Sequence, residues 1–132
     1  MKRLASFFGC LILFASPAMA TSDFGRQWKA EYLTDDTDED FAKLAKKANC
    51  YVCHVKGEEK KEVRNEYGIA LSKYLKAKEL TKDYIKENAD EAKKKFQEGF
   101  NKAGEAQSKD KKKFADKIKA NELPATDAYP EE

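Results

Sequence analysis

Phe41-Ala42-Lys43-Leu44-Ala45-Lys46-Lys47-Ala48-Asn49-Cys50-Tyr51-Val52-Cys53-His54 is the stretch from which both architecture and chemistry can be read. Phe41, Leu44, Ala45 and Ala48 recur three and four positions apart, the spacing that buries one face of an α-helix and turns Lys43, Lys46 and Lys47 outward. The acidic run Asp35 to Asp40 precedes it. Thr37 with Asp40 three residues later fits a capping box, and acidic side chains suit the positive end of a helix. The helix therefore delivers Cys50 against whatever its buried face packs on.

Reading outward, Trp28, Tyr32 and Leu33 predict a short helical or irregular N-terminal arm. The charged segment Lys56 to Lys61 holds Gly57 and has no periodicity, so it reads as a solvated loop. Asn65 is placed to cap a helix whose stripe is Tyr67, Ala70, Leu71, Tyr74 and Leu75, with Gly68 inside it where a bulky group needs close approach. A third helix starts near Thr81 and carries Ile85, Ala89, Ala92, Phe96, Phe100 and Ala103 to the Gly104–Ser108 region. Ser108 starts a last helix with Phe114, Ile118 and Leu123, stopped by Pro124, and the residues beyond read as frayed. No segment alternates with period two for long enough to make a strand. The expected fold is all-α, three to five short helices.

Residues 1–20 have the layout of a secretory leader: Lys2 and Arg3, an apolar stretch from Leu4 to Phe14, and Ala18-Met19-Ala20 before Thr21. Cleavage after Ala20 is expected, leaving 21–132 as one domain in the periplasm. The apolar run is too short to span a bilayer and polar residues follow it, so no stable membrane insertion is expected. Cys10 leaves with the leader. So do two of the 26 basic residues and none of the 24 acidic ones, which makes the remaining chain formally neutral. Interspersed charge of zero balance gives no footprint for nucleic acid. Only Cys50 and Cys53 remain, too few for a disulfide framework.

Cys50-Tyr51-Val52-Cys53-His54 has the Cys-x-x-Cys-His spacing of covalent haem attachment. Two thiols three positions apart reach the two vinyl groups on one porphyrin edge, and the next residue sets an imidazole under the iron. Cys50 and Cys53 are thus the candidate thioether residues of one haem c, and His54 the candidate proximal iron ligand. A zinc site needs about four ligands, and residues 21–132 offer no further Cys and no second His. A thioredoxin-type dithiol expects a βαβ setting that the helical pattern does not provide. Attachment takes place outside the cytoplasm, so leader and motif are two separate signals that agree.

On these residues the chain resembles a small secreted mono-haem cytochrome c of class I type. The helix before the motif, Arg64-Asn65-Glu66-Tyr67-Gly68 behind it and a final helix ending in Leu123-Pro124 are looser echoes. The resemblance implies a cytochrome c-like fold packed around the haem, and an electron carrier exchanging single electrons with redox partner proteins. One departure stands out. Class I proteins usually supply a distal Met, but Met1 and Met19 both lie in the leader, and His54 is the chain's only histidine. The sixth iron position is therefore open, filled by water, held by Lys, Tyr or Asn, or supplied by a partner chain.

Tyr67, Tyr74, Tyr84 and Gln107 are candidate distal neighbours, although aromatics at helical spacing are usually core. Lys93 to Lys95 and Lys111 to Lys113 read as solvated helix faces or as docking sites for an acidic partner. The alternative to electron transfer is binding of nitric oxide, carbon monoxide or peroxide at an open iron. Catalysis wants a distal acid-base group, commonly His, so no enzyme activity is expected.

Overall fold

The structure, a computed structural model, describes residues 22–58 and 63–127; the leader expected over 1–20 lies outside them. Six α-helices follow in order: α1 Ser22–Tyr32, α2 Glu39–Ala48, α3 Glu66–Ser72, α4 Lys82–Glu87, α5 Ala89–Gly104 and α6 Phe114–Lys119. A single 3₁₀ turn, Asn49–Val52, extends α2. No strand occurs among the described residues, only two isolated antiparallel bridges, His54 with Arg64 and Gln107 with Lys113. The all-α expectation holds, with six helices where the periodicity predicts three to five.

The extra helices have local causes. The N-terminal arm is a full helix because Trp28 anchors it in the core, 2 % exposed. The long stripe after Thr81 breaks at Asn88, whose side-chain amide donates to the Tyr84 carbonyl oxygen at 3.1 Å and ends α4. An Asn side chain competes with backbone partners in this way, and an apolar stripe does not register it. The helix expected from Ser108 begins instead at Phe114. Ser108 to Lys113 form a tight loop, with Ser108 N–H donating to Lys112 O at 2.9 Å and Lys111 held at φ 66°.

Caps behave as backbone chemistry requires. Asn65 accepts from Gly68 N–H at 2.9 Å and Thr81 from Tyr84 N–H at 3.2 Å, as the sequence predicts. The α2 cap is Asp38, not Thr37: its carboxylate accepts from Phe41 N–H at 2.9 Å. Thr37 is engaged elsewhere, its hydroxyl accepting from Thr34 N–H and donating to Tyr32 O.

The long helix α5 is the spine of the fold, touching α1, α3, α4 and α6. It buries Ala92, Phe96, Gly99, Phe100 and Ala103 along one face. Gly99 is required there because a Cβ would overlap the Leu75 side chain. Trp28, Tyr67, Phe96, Phe100 and Phe114 fill the centre with side-chain atoms, each at most 2 % exposed. The C-terminal segment is not frayed where it is described: Leu123, Pro124 and Ala125 are buried beyond the end of α6, and Thr126 N–H donates to Glu66 at 3.0 Å.

Candidate functional site

The segment bearing Cys50, Cys53 and His54 leaves α2 through Asn49, whose φ of 47° turns the chain sharply. Asparagine tolerates that left-handed region better than most residues, and its side-chain oxygen is held by Lys29 Nζ at 3.1 Å. The turn then closes on itself: His54 N–H donates to Cys50 O at 3.1 Å and Cys53 N–H to the same oxygen at 3.3 Å. Val52 is the buried anchor, while Cys50 is exposed and Cys53 and His54 are half-buried. Both thiols and the imidazole are thus carried by one short turn fixed at its middle.

His54 Nδ1 lies 3.0 Å from the carbonyl oxygen of Val63. A carbonyl only accepts, so Nδ1 carries the proton and the Nε2 lone pair is left free. That is the tautomer an imidazole needs to bind a metal through Nε2, and the hydrogen bond fixes the ring orientation. A backbone bridge between His54 and Arg64 brings the two strands of the loop together.

Asn65 and Gly68 complete the support. The Asn65 side-chain amide donates to Tyr51 O and Val52 O at 3.0 Å and to His54 O at 3.4 Å, while its oxygen caps α3. Asn65 N–H donates to Cys53 O at 3.0 Å. What approaches Gly68 is backbone, not a bulky group: a Cβ there would overlap the Cys53 carbonyl oxygen. Sequence reasoning finds Asn65 only as a helix cap. Its grip on the turn, and the Val63 carbonyl, have no signature in residue type or spacing.

Burial pushes the Cys53 thiol up to about 12, with the neighbouring Cys50 adding to the shift and Arg64 partly offsetting it. At neutral pH Cys53 is therefore a thiol, the opposite of the low-pKa thiolate of reactive dithiol sites. Among the described residues no group of three or more His, Cys, Asp or Glu is arranged to hold a bare metal ion. The donor set instead fits a group that brings its own equatorial ligands to the metal, takes two thioether tethers and asks for one imidazole nitrogen.

The candidate distal residues separate. Tyr67 is fully buried and accepts from the Trp28 indole N–H at 3.1 Å. Tyr74 is 48 % exposed in the turn after α3. Tyr84 donates to Glu91 and accepts from Lys95, both at 2.7 Å, and Gln107 is exposed and bridges to Lys113. The lysine runs are partly neutralised, Lys95 by Glu91, Lys112 by Glu122 and Lys113 by Glu105. An open hollow of about 720 Å³, lined by Tyr32, Thr37, Asp38, Phe100 and Lys119 among others, lies away from the turn and includes none of Cys50, Cys53 and His54.

No helix among the described residues is long and apolar enough to cross a membrane. No protein-family model, curated protein or solved structure matches the chain.

Proposed function

We propose that this chain is an exported carrier of one covalently bound haem c, tethered through Cys50 and Cys53 and ligated at iron by His54, that passes single electrons between redox partner proteins. The observation that carries the reading is the His54 Nδ1 to Val63 O hydrogen bond of 3.0 Å, which frees Nε2 on the same turn that holds both thiols. Haem supplies the iron(III)/iron(II) couple when bound. The chain's own residues hold and orient it. Cys50 and Cys53 would hold the group through thioether bonds to its two vinyl groups. Val63 O keeps the Nδ1 proton and the ring plane; Val52 and Asn65 keep the turn from opening. Residues 1–20 give the export route, and the periplasm is the compartment this reading requires.

A second reading draws on one observation: residues 21–132 contain no Met and no histidine besides His54. An iron with no protein ligand on its far side binds nitric oxide, carbon monoxide or peroxide, and distal polarity and access then decide what it does. The absorption spectrum of the periplasmically matured protein, oxidised and reduced, separates the two. Low-spin bands unmoved by carbon monoxide support the carrier; high-spin bands that shift with the gas support ligand binding. Covalent haem surviving replacement of both Cys50 and Cys53 by Ala defeats the attachment reading itself.

A further inference from the structure

We infer that Lys29 is a positioning residue for the turn that bears the thiols: by gripping Asn49 it keeps a strained joint in the one conformation that offers Cys50 to the same group as Cys53 and His54. The inference deepens the haem reading and rests on it for what that group is.

The chain is anchored on both sides of this joint. Upstream, Ala45 and Ala48 of α2 are fully buried, and Asn49 N–H still donates to Ala45 O. Downstream, Val52 is buried, the Asn65 amide holds the carbonyls of Tyr51 and Val52, and Cys53 O accepts from Asn65 N–H. Between the two anchored stretches lie Asn49 and Cys50, both exposed. The Cys50 carbonyl is fixed by the N–H groups of Cys53 and His54, so the direction of its side chain is settled by the torsions on its N-terminal side, those of Asn49.

Those torsions are costly. With φ at 47° and ψ at −110°, Asn49 lies outside the left-handed helical well, where ψ is about +30 to +60°. Glycine enters such a region freely, whereas a residue with a Cβ stays there only when its surroundings over-determine it. Here the surroundings include a side chain from another helix, because Lys29 Nζ donates to Asn49 Oδ1 at 3.1 Å. Lys29 is built on a firm base. It follows Trp28, which is 2 % exposed and donates its indole N–H to Tyr67 of α3, two residues beyond the Asn65 that pins the far side of the turn. The ammonium also stands at the C-terminal end of α2, where the helix dipole favours positive charge. Release of the grip lets Asn49 relax and swings Cys50 away, while Cys53 stays packed against the core.

The test counts free thiols in the full-length protein matured in the periplasm, alkylated after denaturation and mapped by peptide mass spectrometry. Wild type is expected to carry haem on both cysteines. Lys29→Ala shifts the joint by about two- to fivefold, the range of an exposed contact of a charged side chain. It is expected to yield haem-bearing chains with a free thiol at Cys50 and not at Cys53. Adding Asn49→Gly, which takes up the same torsions without strain, is expected to restore the second tether. Asp110→Asn breaks an ion pair in the loop before α6, lowers stability without touching the turn, and is expected to keep both tethers. Lys29→Ala chains tethered at both cysteines, a free Cys50 thiol undiminished by Asn49→Gly, or one equally abundant in Asp110→Asn overturns the positioning role alone. A wild-type chain matured without covalent haem overturns the haem reading and this inference with it.

Discussion

Replacing Asn65 by Ala removes four hydrogen bonds at one position: three amide donations into the Cys50–His54 turn and the cap on α3. Buried carbonyls left without donors and a lost cap together cost about 2–4 kcal/mol. The variant's denaturant midpoint should fall accordingly, whereas Asn65→Asp, which keeps the cap oxygen, should recover only the capping share. At this scale the gathering of Cys50, Cys53 and His54 on one turn is legible from sequence because they are near neighbours in it. The partners of Asn65 are backbone carbonyls 11 to 14 residues away, which no local pattern encodes. The choice of Asp38 over Thr37 as α2 cap is illegible for a related reason: both are good caps, and only the turn after α1 occupies the Thr37 hydroxyl.

Among the elements, α6 depends on an ion pair in the loop that leads into it. Lys117 is 2 % exposed at the side chain and meets Asp110 at 2.8 Å; the Asp110 carboxylate also accepts from the Ser108 hydroxyl. The Lys117 hydrogen bond first, and then the Ser108 hydroxyl, hold the Asp110 carboxyl well below the usual carboxylate range. A folded pKa below the unfolded one gives stabilisation that is complete above the ordinary Asp value of about 4 and is lost as pH falls through the folded value. Thermal unfolding of wild type should therefore weaken progressively below about pH 4, and Asp110→Asn should remove that part of the slope while lowering stability at neutral pH. A slope unchanged in the variant would place the acid sensitivity elsewhere. Stripes of apolar residues made α5 and α3 legible, since burial of one face is what a stripe records. They could not reveal the break at Asn88 or the loop at Ser108, where side-chain and backbone hydrogen bonds compete with the helix.

Across the whole molecule, Glu66 ties the C-terminal third to the start of α3: its carboxylate accepts from Lys109 N–H at 2.6 Å and from Thr126 N–H at 3.0 Å. Glu66→Ala should cost about 1–2 kcal/mol, since both bonds are charge-assisted but solvent-accessible. Hydrogen exchange should quicken at Lys109 and Thr126 while α2 stays protected; uniform acceleration would mean that the clamp is not local. The all-α class was legible from the absence of period-two alternation, but the buried course of Leu123 to Ala125 was not, because a Pro after a helix signals only the helix's end. Asn65, Glu66, Tyr67 and Gly68 are four consecutive residues that meet the Cys50–His54 turn, the Lys109 and Thr126 segments, α1 and the Cys53 carbonyl in turn. Their partners lie 13, 43, 60 and 39 residues away for Val52, Lys109, Thr126 and Trp28. Closing such loops is slow because chain entropy must be lost before the contacts repay it. Trp28 and the turn precede Tyr67 in the chain, whereas Lys109 and Thr126 follow Glu66. Residues 65–68 are therefore a meeting point: they settle only when segments from both sides of them in sequence have arrived.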